Sequence, residues 1–259
     1  MENIVTDMHV HSTFSIDAED DMDDMCGKAV ELGLKYICFT DHYDLLEDDI
    51  SFNYLDLDEY CQALERLQAK FQGRLTVLKG LEFGEPHLFP REFAEVQDRN
   101  FDMIMAGIHS FDSCFIGDRD LLERFSREEI FKRYYQEVLR LVEFGGFDVL
   151  AHLDLPKRYL GEPGKQDDLV GRILTSLVKK GIALEVNTSP LRKGLDECSP
   201  DYEILHRFQR LGGTRVLVGS DAHRCRDLGS GFQYAAALLA RAGIEEAGYF
   251  HKRQYLTVK

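Results

Sequence analysis

The sequence contains no apolar run approaching the length of a membrane span, and its opening residues, Met1, Glu2 and Asn3, carry no charged-then-apolar secretion signal. Its six cysteines, Cys26, Cys38, Cys61, Cys114, Cys198 and Cys225, include no close pair and no Cys-x-x-Cys step. Scattered thiols of that kind fit a reducing compartment better than a disulfide framework. A cytoplasmic globular protein without membrane contact is expected. Positive charge is also scarce: 31 Lys and Arg stand against 46 Asp and Glu, a net charge of −15. So acidic a surface gains nothing from counterion release, which makes long nucleic acid and anionic lipid poor partners. There is no basic stripe with interleaved aromatics either. A small anionic substrate is compatible with this balance only if a local positive site captures it.

What is present is a regular alternation. At 259 residues and 44% hydrophobic, the chain can bury a large core. Short apolar runs, "NIVTDMHV", "KYICFT", "LTVLKGLE", "MIMAGIH", "FDVLAHL", "IALEVN" and "RVLVGS", read as strands. Amphipathic stretches at 22–33, 58–72, 91–99, 126–145, 167–180, 200–212 and 231–242 read as the helices between and after them. Ser126 and Glu129 have the spacing of a capping box, and Gly33, Gly145, Gly181 and Gly212 fall where helices should stop. Strand–helix units repeated without a composition break predict a parallel α/β fold in a single domain spanning 1–259.

The polar residues favour a closed barrel over an open sheet. His9 and His11 are two apart at the end of the first strand, so an extended chain aims them the same way. The second strand runs into Asp41 and His42, the third ends at Glu82, the fourth at His109, the fifth at His152, and the seventh runs into Ser220, Asp221 and His223. After the sixth come Asn187, Thr188 and Arg192. In a barrel all these ends ring one mouth, whereas an open sheet holds its outer strands too far apart to share a site.

Imidazole and carboxylate without thiolate suit zinc, manganese or iron in a catalytic site. Six histidines with Asp17, Glu82 and Asp221 make nine potential donors, too many for one ion, so two or three divalent ions with a bridging carboxylate are expected. Such a cluster stays net positive, holds a water as hydroxide near neutral pH, and grips attacking and leaving oxygens of a phosphoryl group. Arg158 and Arg192 are the candidates to grip the remaining phosphate oxygens of a small phosphorylated metabolite.

The motifs "HVHS…D" at 9–17, "FTDHYD" at 39–44, "GLEFGEP" at 80–86, "GIHS" at 107–110, "AHLDLPKR" at 151–158, "EVNTSPLRK" at 185–193 and "VGSDAHR" at 218–224 resemble the polymerase and histidinol phosphatase (PHP) superfamily. They look most like its histidinol-phosphate phosphatase branch, in the same order, from residue 7 to about residue 235. The resemblance implies a distorted (β/α)7 TIM-like barrel with a trinuclear centre. It implies that His9, His11, Glu82 and Asp221 hold one ion, and that Glu82 bridges to a second ion bound by His109 and His152. Asp17, His42 and His223 would hold the third and, with Arg158, act in the reaction itself. The implied reaction is hydrolysis of L-histidinol phosphate by a metal-held hydroxide, in histidine biosynthesis. A related phosphoesterase for a nucleotide monophosphate is the alternative.

The remaining signals read as structure. His87, His206 and His251 are bystanders, Cys225 is a plain loop thiol, and the acidic run at 45–60 is a solvated loop leading into a helix. Asp20, Asp21, Asp23 and Asp24 open a helix. Asp41 either orients a histidine or is a loop residue. "FDSCFIGDRDLLERF", after the fourth strand, matches the family least. A non-catalytic metal-stabilised scaffold would show lost ligands or a partner domain, and a metal amidohydrolase would show a bridging lysine at a strand end; neither is seen.

Overall fold

A computed structural model describes residues 4–161 and 166–258, so Asn3, the first residue of the expected opening strand, lies outside the described residues. Seven strands form the barrel: β1 (Thr6–Val10), β2 (Tyr36–Phe39), β3 (Thr76–Gly84), β4 (Met103–Gly107), β5 (Val149–Leu150), β6 (Ala183–Asn187) and β7 (Val216–Gly219). They pair in sequence order, every pair parallel. Among the described residues the circle closes at one end, where Val10 bridges Ala222 and the His11 N–H donates to the Ala222 carbonyl at 2.9 Å. That end carries the C-termini of the strands.

Helices α1 (Met22–Glu31), α2 (Leu57–Phe71), α3 (Pro90–Gln97), α4 (Arg127–Phe144), α5 (Asp167–Lys180) and α6 (Tyr202–Arg210) alternate with the strands, and α7 (Phe232–Ala242) follows β7. Local chemistry sets their limits. Asp21, Asp56, Ser126 and Asp201 cap the N-termini of α1, α2, α4 and α6 through side-chain oxygens. Glu129 completes only half of a capping box, because its carboxylate goes to Arg133 at 3.0 Å. Gly181 ends α5 in the left-handed conformation, its N–H turned back to the Leu177 and Val178 carbonyls.

The strands are buried on both faces, as parallel strands covered by helices are. Outward residues such as Ile37, Phe39, Val77, Leu81, Ile104, Leu184 and Val218 join the helices in the larger apolar core. Inward residues, among them Met8, Cys38, Leu78, Met103, Met105, Val149 and Leu217, fill the barrel interior. A C-terminal hairpin (Gly248–His251 with Gln254–Thr257), which the sequence reading leaves without an element, adds Phe250 to that interior. The Tyr255 hydroxyl both donates to the Val216 carbonyl at 2.9 Å and accepts from its N–H at 3.1 Å. With the lower barrel packed by apolar side chains, polar ones collect at the opposite mouth. All six cysteines are free thiols, and among the described residues no helix is long and apolar enough to cross a membrane.

Candidate metal centre and active site

Simple alternation does not aim the opening histidines. Between Asp7 and Val10, β1 gains one residue on β2, whose partners there are Ile37 and Phe39. This β-bulge lets Met8 and His9 both face the interior while Val10 faces the helices, and His11 then points in again. Without it, strict alternation from Met8 would turn Val10 inward and both histidines out. Gly219 on β7 makes room: a Cβ there would collide with that of His9 and lie 2.7 Å from a Glu185 oxygen. His152, beyond the short β5, takes a positive φ of 20° and swings into the same space.

The nine donors converge. The Nε2 atoms of His9 and His11 lie 2.9 Å apart, with Asp221 Oδ1 at 3.8 and 3.5 Å from them and Glu82 Oε2 at 3.2 and 3.5 Å. Two ring nitrogens that close need one proton or one cation between them. The other Glu82 oxygen, Oε1, faces His109 Nε2 at 3.3 Å and His152 Nε2 at 2.8 Å. Asp17 Oδ2 meets His223 Nε2 at 3.0 Å and His42 Nε2 at 3.9 Å. His42 also turns Nδ1 to within 3.2 Å of Glu82, which links this outer group to the rest. Three triads, His9–His11–Asp221, His42–Glu82–His109 and His11–His42–His223, each offer ligand atoms near enough to share an ion.

Electrostatics keep the carboxylates available as donors. Burial alone would raise them, but His9, His109 and His42 hold Glu82 well below the usual carboxylate range, and Arg158 and His9 do the same for Asp221. Asp17 is pulled down to about 2, against its burial, by His223 and His42. Burial would also depress His9, yet Glu185, Glu82 and Asp221 hold it well above its ordinary value. His11, crowded by burial and by the imidazoles of His223 and His42, sits well below. A set of ionised carboxylates and converging imidazoles fits hard or borderline divalent cations.

Several residues that hold these donors fall inside the quoted motifs without a role assigned from the sequence. Glu185, in the middle of β6, accepts from His9 Nδ1 at 2.5 Å and from the His152 backbone N–H at 2.7 Å. Asp44 faces His109 Nδ1 at 3.3 Å. Glu85, buried and pushed up to about 8 chiefly by that burial, accepts the backbone N–H groups of His109 and Ser110. Asp41 does orient a histidine, at one remove: it binds the Ser12 and Ser15 hydroxyls, and Ser15 Oγ lies 3.2 Å from His11 Nδ1. Such partners fix the tautomer and angle of a ligating ring.

Seven of the donors, all but the fully buried His9 and His11, line a cavity of about 690 Å³. Arg158, on a short helix (Lys157–Leu160), donates to Asp221 Oδ2 at 2.7 Å and to Asn187 Oδ1 at 3.1 Å, while Arg192 donates to the Asp221 carbonyl at 3.0 Å. Each keeps a buried nitrogen without a hydrogen-bond partner among the described residues, Nε of Arg158 and Nη1 of Arg192. Lys193, Arg224 and Arg226 join them, so the cations come from loops after β5, β6 and β7. The acidic run at 45–60 is not simply a solvated loop. Its second half opens α2, but Asp44 bridges to Phe52, and the chain between folds back so that Asp48, Asp49, Ile50 and Ser51 line the cavity. Phe115 and Asp118 from the segment after β4 do so as well. The bystander histidines lie elsewhere: His87 is 3.4 Å from Glu137, His206 stacks on Tyr202, and His251 is near Asp102.

Comparison with known proteins agrees with this geometry. The PHP domain model matches residues 7–189. A probable histidinol-phosphatase of Thermotoga maritima is 32% identical over 92% of this chain and 93% of its own length. A histidinol-phosphatase of Lactococcus lactis is 30% identical over 94% and 93%. Among solved structures, histidinol phosphate phosphatase from Lactococcus lactis, complexed with zinc, L-histidinol and phosphate, superposes with a TM-score of 0.85 at 28% identity, covering 97% of this chain and 98% of that one.

Proposed function

From the premise that the chain belongs to the PHP domain family, we propose that it is a histidinol-phosphatase, a metal-dependent phosphomonoesterase that converts L-histidinol phosphate to L-histidinol and phosphate. The observation that carries the proposal is the meeting of nine imidazole and carboxylate donors, seven of them lining one cavity that Arg158 and Arg192 also line. The solved relative holds zinc, L-histidinol and phosphate, and a phosphate with its alcohol is the product pair of this reaction.

The donor set divides into three ion sites: His9, His11, Asp221 and one oxygen of Glu82; His109, His152 and the other oxygen of Glu82; and Asp17, His42 and His223. Zinc, manganese and iron all suit such ligands. When bound, divalent ions supply a hydroxide nucleophile near neutral pH and positive charge for the phosphoryl oxygens. Arg158 fixes Asp221 through Nη2 and has its Nε uncommitted, and Arg192 has Nη1, so both guanidinium groups have N–H bonds to give a phosphate. Beyond its phosphate, L-histidinol phosphate carries an ammonium on the carbon next to the ester CH2 and an imidazole at the far end. Asp48, Asp49 and Asp118, on loops after β2 and β4, offer these groups a negative wall.

Phosphate release from L-histidinol phosphate, beside a panel of nucleotide and sugar phosphates, tests the proposal. Turnover of histidinol phosphate far above the panel, abolished by chelator, is expected. Chelator-sensitive activity confined to other esters would move the chain to another branch of the superfamily.

A further inference from the structure

Next to the metal donors lies a buried ionic cluster that the proposed chemistry does not use. Lys157, 9% exposed, reaches Asp154 Oδ2 at 3.3 Å and also bonds Asp201 Oδ2. Asp154, 1% exposed, accepts through its other oxygen from the Ser199 hydroxyl. Asp201 uses its own other oxygen to cap α6 at the Ile204 N–H, 3.0 Å away. A buried ion pair contributes little net stability over an apolar substitute, so its presence calls for a role in specifying geometry.

The connectivity supplies one. Ser199 exchanges two backbone hydrogen bonds with Asn187, at 2.7 and 2.9 Å. The Asn187 side-chain oxygen accepts from Arg158, and its amide donates to Asp221 at 3.2 Å. Arg158 follows Lys157 in the chain, and the turn that carries both is tied by Lys157 N to Asp154 O and Arg158 N to Leu155 O, each 3.0 Å. The path from Lys157 through Asp154, Ser199 and Asn187 to Arg158 is therefore a closed ring, ionic at Lys157–Asp154, hydrogen-bonded through Ser199 and Asn187, with one peptide link as its last edge.

We propose that Lys157 is a positioning residue whose buried pairing with Asp154 and Asp201 fixes the Arg158 guanidinium at the phosphate site. This rests on the phosphatase reading for the identity of the anion. The ring has two consequences. It locks the loop after β5 to the loop after β6, so that Arg158 and Asn187 approach Asp221 together. It also places the lysine charge on carboxylates, leaving Arg158 uncompeted by its neighbour among the cations that line the cavity.

The test is binding of inorganic phosphate to zinc-loaded full-length protein, by calorimetry, with zinc content measured on each sample. Lys157→Met is expected to weaken phosphate binding about tenfold, less than the roughly hundredfold that a 1 Å misplacement in a site can cost. Ser199→Ala, a milder cut of the same ring, is expected to weaken it severalfold, and Lys157→Arg to restore part of the loss. In an Arg158→Ala background neither change should weaken binding further, because a residue acting through Arg158 has nothing left to position. Unaltered affinity in both variants, losses that persist after Arg158 is removed, or loss of zinc in parallel with phosphate would each overturn the proposal. If Lys157→Met does not fold, Ser199→Ala and Lys157→Arg decide it. Phosphate is bound whether or not histidinol phosphate is turned over, so failure of the phosphatase reading would appear separately, as binding without turnover.

Discussion

Replacing Glu185 by glutamine removes one charge and keeps the shape, which makes it a sharp probe of the site. Both acceptor oxygens are committed and buried: one faces His9 Nδ1 at 2.5 Å, the other the His152 backbone N–H at 2.7 Å. A glutamine has one oxygen and one NH2, so one of the two partners must face a donor. If the His152 N–H loses its acceptor, a buried unsatisfied group costs about 1–3 kcal/mol; if His9 does, a charge-assisted bond of about 1.5–3 kcal/mol goes. In the second case the His9 ring loses the group that sets its tautomer, in the first the backbone that carries the His152 ring loses its anchor, and loss of such supporting partners typically lowers metal affinity about 10–100-fold. The assay is competition for zinc between a chromogenic chelator and the natural or Glu185→Gln protein, with a thermal melt on each. A weaker zinc affinity and a lower melting temperature are expected. Unchanged zinc affinity in a folded variant would refute the assigned role of Glu185.

Other outcomes follow from the same structure. Glu85 ordinarily titrates near 4.5 and is pushed up to about 8 by burial, so the folded state holds its proton more tightly than the unfolded one. Stability is therefore lost as pH rises from about 4.5 through 8, by up to on the order of 5 kcal/mol. In chelator-stripped protein the melting temperature of Glu85→Gln, relative to the natural chain, should climb between pH 6 and pH 9; a difference flat with pH would contradict this. Arg158→Ala should raise KM strongly with metal content intact, because Asn187 and Ser189 still hold Asp221 at 3.2 and 2.9 Å; unchanged kinetics would remove Arg158 from the phosphate site. Asp48→Asn with Asp49→Asn should raise KM for L-histidinol phosphate by up to about thirtyfold, as solvent-screened pairs contribute only about 0–1 kcal/mol each. Phenyl phosphate, whose leaving group carries no ammonium, should not respond; an equal change in its KM would assign the loop a general packing role.

The histidines, Glu82 and Asp221 were legible because a strand end in a parallel barrel is a known location, and because six imidazoles at such ends exceed what packing needs, whereas Asp17, in a loop, was assigned as a ligand only through the family resemblance. The helices were legible through their caps and apolar stripes. Glu185 was not, although a lone glutamate inside the apolar run "IALEVN" was a signal: an inward strand position fills the barrel, and a charge there needs a buried partner. The bulge in β1 leaves no mark on hydrophobic periodicity, since it changes which residue faces in without changing which residues are apolar. The C-terminal hairpin was hidden by its turn: Lys252 and Arg253 both take positive φ, 50° and 62°, where Asn-Gly would have announced it. The loop at 45–60 shows the limit of composition, because acidic residues read the same whether they face solvent or a cavity that solvent also fills.

The central claim is that this donor cluster, loaded with divalent metal, hydrolyses L-histidinol phosphate. Its most direct test is a zinc titration of chelator-stripped protein, with phosphate release followed at every point. Turnover absent at the start, rising with added zinc and levelling at two to three equivalents per chain, is the predicted result. Full turnover without metal, or no phosphate release from the zinc-replete protein, would contradict it.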